Sequence, residues 1–422
     1  MAFKELGGFC WFIGGFIFFS FLLVGGLASS GVCGVAFFNE YLVFDFVGLC
    51  LSLISLILFV SLTCWSGSVS PRCLVFLIFS VLVSIVCYLS FNMFLFWFCY
   101  EMSILPLLYL LVVESPYSER FVASWYLGGY IILTSVPMLL SILYLSTGSG
   151  GFCLLFDSSF LSCWGGFISV LVLCVSFITK IPLVPFHSWL PIVHAESSSS
   201  VSVCLSGFIM KLGVLGAFRF GYNVLPDVVF SYSYVVVIFG LSLFMFMFTC
   251  QELDGKRWLA FLSLSHIVVC VLGLNACGFN SVSTPFIYCL GHGLSAGLTF
   301  LFLWFFYNIC GSRNWSILKV GAGAGVVFRW LLAIVLCSVA SFPPTLSFFS
   351  EVRIFLDSGV LSLLFSSVFY FYLFLGGLIP LFIVGGCLTM HNSISCFSGS
   401  GYSGVSSLLF LSFACVFFFT CF

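Results

Sequence analysis

Charge is what this sequence lacks. Asp, Glu, Lys and Arg make up 6% of its 422 residues, against about 25% in soluble domains. Hydrophobic residues make up 62%, with mean hydropathy +1.29. Those proportions exclude a water-soluble globular domain. A net charge of −1 leaves no basic field for nucleic acid and no acidic tail. Glutamine is almost missing, Gln251 being the only one. The 21 cysteines include no C-x-x-C and no Cys/His set at metal-ligand spacing, so inert packing is the reading they support over metal or disulfide chemistry. The apolar/polar alternation over about ten residues that a membrane barrel needs is absent. Gly321, Gly323 and Gly325 follow no strand and complete no G-x-G-x-x-G, so they are not a nucleotide fingerprint.

Long apolar runs fill the chain instead. A membrane-crossing helix takes about 20 largely apolar residues. The runs read as about thirteen such spans, at 9–29, 43–64, 73–90, 91–113, 121–146, 162–186, 199–220, 228–250, 257–276, 282–307, 326–349, 360–389 and 404–421. The predicted fold class is therefore all-α, a polytopic transmembrane helical bundle. The third and fourth spans are almost continuous and need a tight turn near Asn92. Heavy use of Phe (57 residues), Val, Leu, Cys and Gly with almost no Gln matches T- and G-rich codons, as in small organellar genomes. No Arg- and Ser-rich leader precedes the first span, as expected of a protein made inside the organelle. The expected location is the mitochondrial inner membrane, multi-pass, with a bacterial origin as the alternative.

Lys and Arg in short loops set orientation. One face collects Lys4, Arg72, Arg120, Lys256, Arg257, Arg313 and Lys319, and the other has little beyond Arg219 and Arg353. The rich face is expected in the matrix, which puts the N-terminus there and, with an odd number of spans, the C-terminus outside. Asn314-Trp-Ser is a formal glycosylation sequon, but it falls on the matrix face.

Against this background four ionisable residues stand inside apolar stretches: Glu101, Lys180, Lys211 and Glu351. A charge at mid-bilayer costs roughly 2.5–3.5 kcal/mol on insertion scales, and such groups face a bundle interior or a hydrated path, proton relays among them. Two of the four lie beside proline. Lys180 precedes Pro182 and Pro185, and Pro343-Pro344 precede Glu351. Proline removes a backbone donor and clashes with the preceding turn, and freed carbonyls are tolerated only within protein or around water. Broken helices at corresponding places in two halves point to a transporter's working site, although single proline kinks are common. Here they fall in the sixth and eleventh spans, five apart. That suggests two inverted five-helix repeats, 73–225 and 226–390, flanked by N-terminal spans in 1–72 and a C-terminal span in 391–422.

Three histidines join the set: His266 and His292 within the ninth and tenth spans, and His187 at the end of the sixth. An intramembrane histidine often only bonds a neighbouring helix, but its pKa of about 6.5 also suits it to proton exchange. Gly293 and Gly297, four apart, read as a helix-packing motif. Lys211, Gly207 and Leu215 are expected on one helix face, with the glycine leaving room for water.

These residues resemble a family. TKIPLVPFHSWLPIVHAE (179–196) followed by MKLGVLGAFRF (210–220) resembles the central segment of the antiporter-like subunits of respiratory complex I. Lys180, His187, Trp189, Pro191, His194, Glu196 and Lys211 match its pattern. FCYEMSILPLLYLL supplies Glu101 and Pro106, with Glu119-Arg120 after it, ELDGKRWLAFLSLSHIVV supplies Asp254, Lys256 and His266, and GHGLSAGLTF supplies His292. Glutamate at 351 marks one branch of the family, since other branches carry lysine there. Departures are the thirteen spans where the family has fourteen, Ile192 in place of a lysine or aspartate, and Ser198 in place of a proline.

The resemblance implies a proton-translocating subunit, with Glu101, Lys180, Lys211, His292, Glu351, His266 and His187 as its site residues. Protons would move from matrix to intermembrane space, driven by NADH oxidation and ubiquinone reduction in partners. It also implies a Glu101–Lys180 pair, and a path from Lys211 through His292 to Glu351 that leaves by way of Arg353 and Asp357. A salt bridge between Glu351 and Arg353 at the bilayer surface is the bland alternative. No cofactor is expected in this chain. FMN and iron–sulfur clusters would belong to partner subunits, and other membrane-arm subunits and the lipid bilayer are the expected contacts. The competing readings are a stand-alone cation/proton antiporter and a structural anchor.

Overall fold

The computed structural model describes residues 37–38, 40–65, 69–154, 163–222, 231–276, 283–322, 325–359, 363–389 and 404–417. The span expected at 9–29 lies outside them. Apart from a two-residue antiparallel ladder, Phe37–Phe38 with Val43–Phe44, the described elements are helical. In chain order they are α1 (Phe46–Thr63), α2 (Pro71–Leu89), α3 (Met93–Glu114), α4 (Arg120–Ser149), α5 (Trp164–Lys180), α6 (Trp189–Glu196) and α7 (Ser199–Gly221). Then come α8 (Tyr232–Gln251), α9 (Gly255–Ala276), α10 (Ser283–Cys310), α11 (Trp315–Ala322), α12 (Val326–Val339), α13 (Leu346–Gly359), α14 (Leu363–Leu388) and α15 (Val405–Phe417). Among the described residues, nine helices are long and apolar enough to cross a membrane, and α5, α12 and α15 are shorter apolar helices. The chain is a polytopic helical membrane bundle.

Burial sorts the helices into an axis and a shell. In α7 and α10, 94% of the apolar stretch is buried, and in α9 83%, against 33% in α4 and 28% in α14. The shell turns large apolar side chains outward, with Trp125 81%, Trp164 82% and Phe382 81% exposed. On a soluble protein such a surface would be an aggregation hazard. Here it faces acyl chains. Close approach at the axis depends on glycine. A Cβ on Gly297 would lie 2.3 Å from Leu58, and one on Gly293 would lie 2.9 Å from Ile54 and 3.0 Å from the Gly207 carbonyl. The packing expected of this pair therefore holds, seating α10 on α1. Gly207 does not open room for water, because its missing side chain is replaced by Leu58, 2.1 Å from where a Cβ would stand.

Helix boundaries differ from expectation at the two breaks, for one reason. The sixth span does not run to 186: α5 stops at Lys180 and α6 restarts at Trp189, so His187 sits inside the break. The eleventh does not run to 349: α12 stops at Val339, and Glu351 belongs to a second helix, α13. Proline denies the backbone its donor before the hydrophobic run ends, so hydropathy overshoots the helix. By contrast Asn92 turns the chain where expected, its side chain accepting from the backbone N–H groups of Phe94 (3.0 Å) and Leu95 (3.2 Å) at the start of α3.

The start of α13 rests directly on α10. A Cβ on Gly291 would lie 2.8 Å from the backbone nitrogen of Ser347 and 3.1 Å from its Cα. Backbone cannot rotate away as a side chain does. Gly291→Ala is expected to destabilise the fold by about 1–3 kcal/mol, read as a lower Tm of the purified assembly. Gly240→Ala, with nothing within 4 Å of its Cβ, is expected to leave Tm unchanged. Equal Tm values for both variants would show that α13 does not bear on α10.

Candidate functional site

Lys211 is fully buried in α7, and the helix changes pitch to hold it. Leu205–Ile209 is a π turn, with the Met210 N–H reaching back to the carbonyl of Leu205. Such turns shift the register of backbone bonds and recur at functional sites. Side chains use the carbonyls of this turn: Lys211 Nζ donates to Ser206 O (2.5 Å) and Tyr88 Oη to Phe208 O (2.8 Å). Lys211 Nζ also lies 3.2 Å from His292 Nδ1 on α10. A charged ammonium has no lone pair, so with Lys211 charged His292 Nδ1 must accept. The pair therefore shares a proton position.

From His292 the polar groups continue across the bundle. The rings of His292 and His266, on α9, have centroids 5.9 Å apart. His266 Nδ1 bonds the Tyr372 hydroxyl from α14 and lies 3.9 Å from Glu351 Oε1 on α13. The Tyr288 hydroxyl from α10 donates to His266 O at 3.0 Å and stands 3.5 Å from its Nδ1. Glu351 Oε1 accepts from Ser341 Oγ at 3.0 Å. Ser341 lies in the break between α12 and α13 with φ +53, a conformation rare for a side-chain-bearing residue and concentrated at functional sites. Lys211, His292, His266 and Glu351 are each at most 5% exposed. Five helices thus contribute one file of groups that can each take and give a proton.

Glu351 is turned inward and does not pair with Arg353. Arg353 is 64% exposed and pairs with Asp357 at 4.0 Å, on the other side of the helix, as the 3.6-residue turn requires. The surface salt bridge is thus excluded.

Glu101 and Lys180 form a second, separate locus. Both are buried, and Tyr100 Oη, both Glu101 carboxylate oxygens and Lys180 Nζ have no protein hydrogen-bond partner. Lys180 Nζ lies 5.6 Å from the Tyr100 ring centroid, and the charges of Lys180 and Glu101 act on each other without a direct bond. Gly213 lets α7 approach here, since its Cβ would lie 3.2 Å from Lys180 Cβ. His187 is half-buried in the break with Nδ1 unpartnered, and no described contact joins it to either locus.

At one end of the bundle, the basic residues counted for orientation meet the helix ends. Lys256 Nζ donates to Ser197 O (2.8 Å), the Arg313 guanidinium to Ala195 O, and Arg313 pairs with Asp254 at 3.4 Å. Both cations lie over the Tyr117 ring, at 5.2 and 4.1 Å. Burial in this loop raises the Tyr117 phenol above its ordinary range, with Arg313 opposing the shift. At the opposite end Arg219 pairs with Asp45 (3.2 Å) and donates to Tyr88 O and Ser90 O. Lys256 and Arg313 thus meet at one end and Arg219 lies at the other, and Lys256, only 3% exposed, acts as a backbone clamp.

Residues 90–376 match the family described as NADH:quinone oxidoreductase/Mrp antiporter, TM. The chain belongs to this family. Curated relatives include the NADH-ubiquinone oxidoreductase chain 4 of Ascaris suum, 29% identical over 67% of this chain and 69% of that protein. Another is the chain 4 of Acanthamoeba castellanii, 29% identical over 67% of this chain and 57% of that one. Similar solved structures include respiratory complex I from Thermus thermophilus with bound NADH, with TM-score 0.77, 20% identity, and coverage of 89% of this chain and 82% of that one. The Mrp complex of a Dietzia species gives TM-score 0.72 at 16% identity, covering 94% and 77%. These likenesses carry the fold of the family's membrane subunits. Among the described residues no group of three or more His, Cys, Asp or Glu side chains could hold a metal.

Sequence reasoning missed several members of the file. Tyr288 lies one helical turn before His292, a spacing that could have found it. Tyr372 and Ser341 come from other elements, with no local signal. His194 was noted only as a motif match. Its ring stacks on Phe300 at 4.9 Å, with both nitrogens unpartnered. Tyr372→Phe keeps the ring and removes the hydroxyl that bonds His266. It is expected to cost about 1 kcal/mol for the lost hydrogen bond, with the Tyr288 hydroxyl left as the remaining polar neighbour of Nδ1, read as a lower Tm of an otherwise intact assembly. An unchanged Tm would show that this hydroxyl carries no bond.

Proposed function

We propose that the chain is a proton-translocating, antiporter-like membrane subunit of a respiratory NADH:ubiquinone oxidoreductase. The single observation that carries the reading is the buried file from Lys211 through His292, His266, Tyr288 and Tyr372 to Glu351. Buried ionisable groups survive in membranes where they serve transport, and these span five helices. The names of the curated relatives and the family's description support the same assignment. The assembly would reside in the mitochondrial inner membrane with the Lys256–Arg313 end in the matrix. Neighbouring membrane-arm subunits would pack against the chain, and FMN and iron–sulfur clusters would sit in partner subunits. Two inverted repeats, 73–225 and 226–390, would each place one proline-broken helix, α5/α6 and α12/α13, against the axis.

In this scheme Lys211 is the central proton holder and Glu351 the terminal one. The Glu101–Lys180 locus is the switch: bringing the carboxylate closer stabilises the ammonium, and withdrawing it releases the proton. Matrix-to-outside transport would be driven by NADH oxidation and ubiquinone reduction in the partners. As a subunit of the enzyme the chain supplies charge movement and no electron chemistry.

Two substitutions test this in the intact assembly reconstituted in vesicles. Glu351→Gln keeps shape and hydrogen bonding but removes titration, and is expected to lower the proton-to-electron ratio while NADH still reduces quinone. An unchanged ratio would remove Glu351 from the path. Glu101→Gln is expected to impair pumping without preventing assembly, and wild-type pumping by that assembled variant would exclude the switch. Isolating the native particle tests the alternative. Flavin and iron–sulfur absorbance co-purifying with the chain support the reductase, and a particle without them that exchanges sodium or potassium for protons would make it an antiporter.

A further inference from the structure

Cys270 of α9 and Cys289 of α10 stand with their sulfurs 3.1 Å apart, both fully buried, and the Cys270 thiol is 3.5 Å from the Pro285 carbonyl. Their place in the helices matters more than their contact. Cys270 lies four residues after His266, and Cys289 three residues before His292. Those spacings put each cysteine on the face of its histidine, one turn along. The two helices therefore carry a thiol pair stacked directly beside the histidine pair.

We propose that Cys270 and Cys289 are an oxidisable dithiol whose disulfide fixes the separation of His266 and His292. A disulfide has its sulfurs about 2.05 Å apart, so closure needs an approach of about 1 Å. The oxidant class that fits a buried site is a small uncharged peroxide. The sulfur of one cysteine attacks a peroxide oxygen, the O–O bond breaks, and the departing hydroxide takes the thiol proton to leave as water. The resulting sulfenic acid is attacked by the second thiol, the S–O bond breaks, and that oxygen leaves as a second water with the second thiol's proton. Two electrons pass from the thiols to the peroxide, and one S–S bond forms. Lys211 bears on both sulfurs electrostatically, which makes the pair part of the same environment as the file. Once closed, the bond prevents α9 and α10 from moving apart one turn from the histidines. The linkage stands on geometry alone, while its effect on transport rests on the proposed proton pathway.

The test uses the intact assembly in vesicles, treated with hydrogen peroxide and analysed by non-reducing peptide mapping alongside NADH-driven proton uptake. The expected result is a Cys270–Cys289 linked peptide and a loss of proton uptake, both reversed by dithiothreitol. Cys289→Ser and Cys270→Ala are each expected to form no link and to keep proton uptake under peroxide. Oxidation of the exposed Cys153, Cys163 or Cys250 without a linked peptide overturns the proposal. A linked peptide with unchanged uptake, where Glu351→Gln does lower it, overturns the lock on the histidines. If Glu351→Gln also leaves uptake unchanged, the transport reading has failed, and the linked peptide alone still decides the disulfide.

Discussion

A lysine ammonium in the hydrocarbon region must be solvated by protein, and most of this architecture follows from meeting that demand at Lys211. An unsolvated charge there would cost several kcal/mol, so α7 gives up regular α geometry over Leu205–Ile209, and Ser206 O receives the ammonium. The second partner, His292, comes from α10, which reaches it because glycines at 293 and 297 let α10 close on α1. Burial of one cation thereby fixes the positions of three helices.

The two broken helices serve the same end by a different route. Each brings a titratable group to the axis beside backbone that has left the helix: Lys180 at the end of α5 and Glu351 early in α13. Ser341, in the second break, donates directly to Glu351. Proline alone does not make a break. Pro106, Pro137 and Pro380 stay within continuous helices α3, α4 and α14, where a single lost donor is tolerated. The interruptions occur where two prolines fall within four residues.

That distinction explains what was legible. Composition and hydropathy gave the membrane class and most helices, because bilayer thickness imposes a length that any span must show. The ionisable residues were visible as the rare exceptions to that composition, and the structure buries all of Glu101, Lys180, Lys211, His266, His292 and Glu351. Helix ends at the breaks were not legible, because residues 181–188 and 340–345 are apolar enough to pass for helix. The π turn in α7 left no mark either, since Leu-Ser-Gly-Phe-Ile suits an α-helix equally well. Tyr372 was invisible because an aromatic in a lipid-facing helix such as α14 looks like every other aromatic there, and only tertiary packing turns it towards His266.

The contact of Gly291 with the backbone of Ser347 bears on tempo. His292 is the next residue along α10, and Glu351 lies one turn beyond Ser347 on α13. With no side chain between the two backbones, histidine and carboxylate ride on a single rigid block. Sliding of packed helices takes microseconds to milliseconds, whereas side-chain rotation takes picoseconds to nanoseconds when unhindered. On the proposed pathway, passage between His292 and Glu351 then needs no sliding of α10 against α13, and the motion it draws on lies at His266, Tyr288 and Tyr372 and in the packing of α9 and α14 beside that block. At the Glu101–Lys180 end no such block exists: the buried polar groups there hold no protein partner, which leaves them free to change their separation.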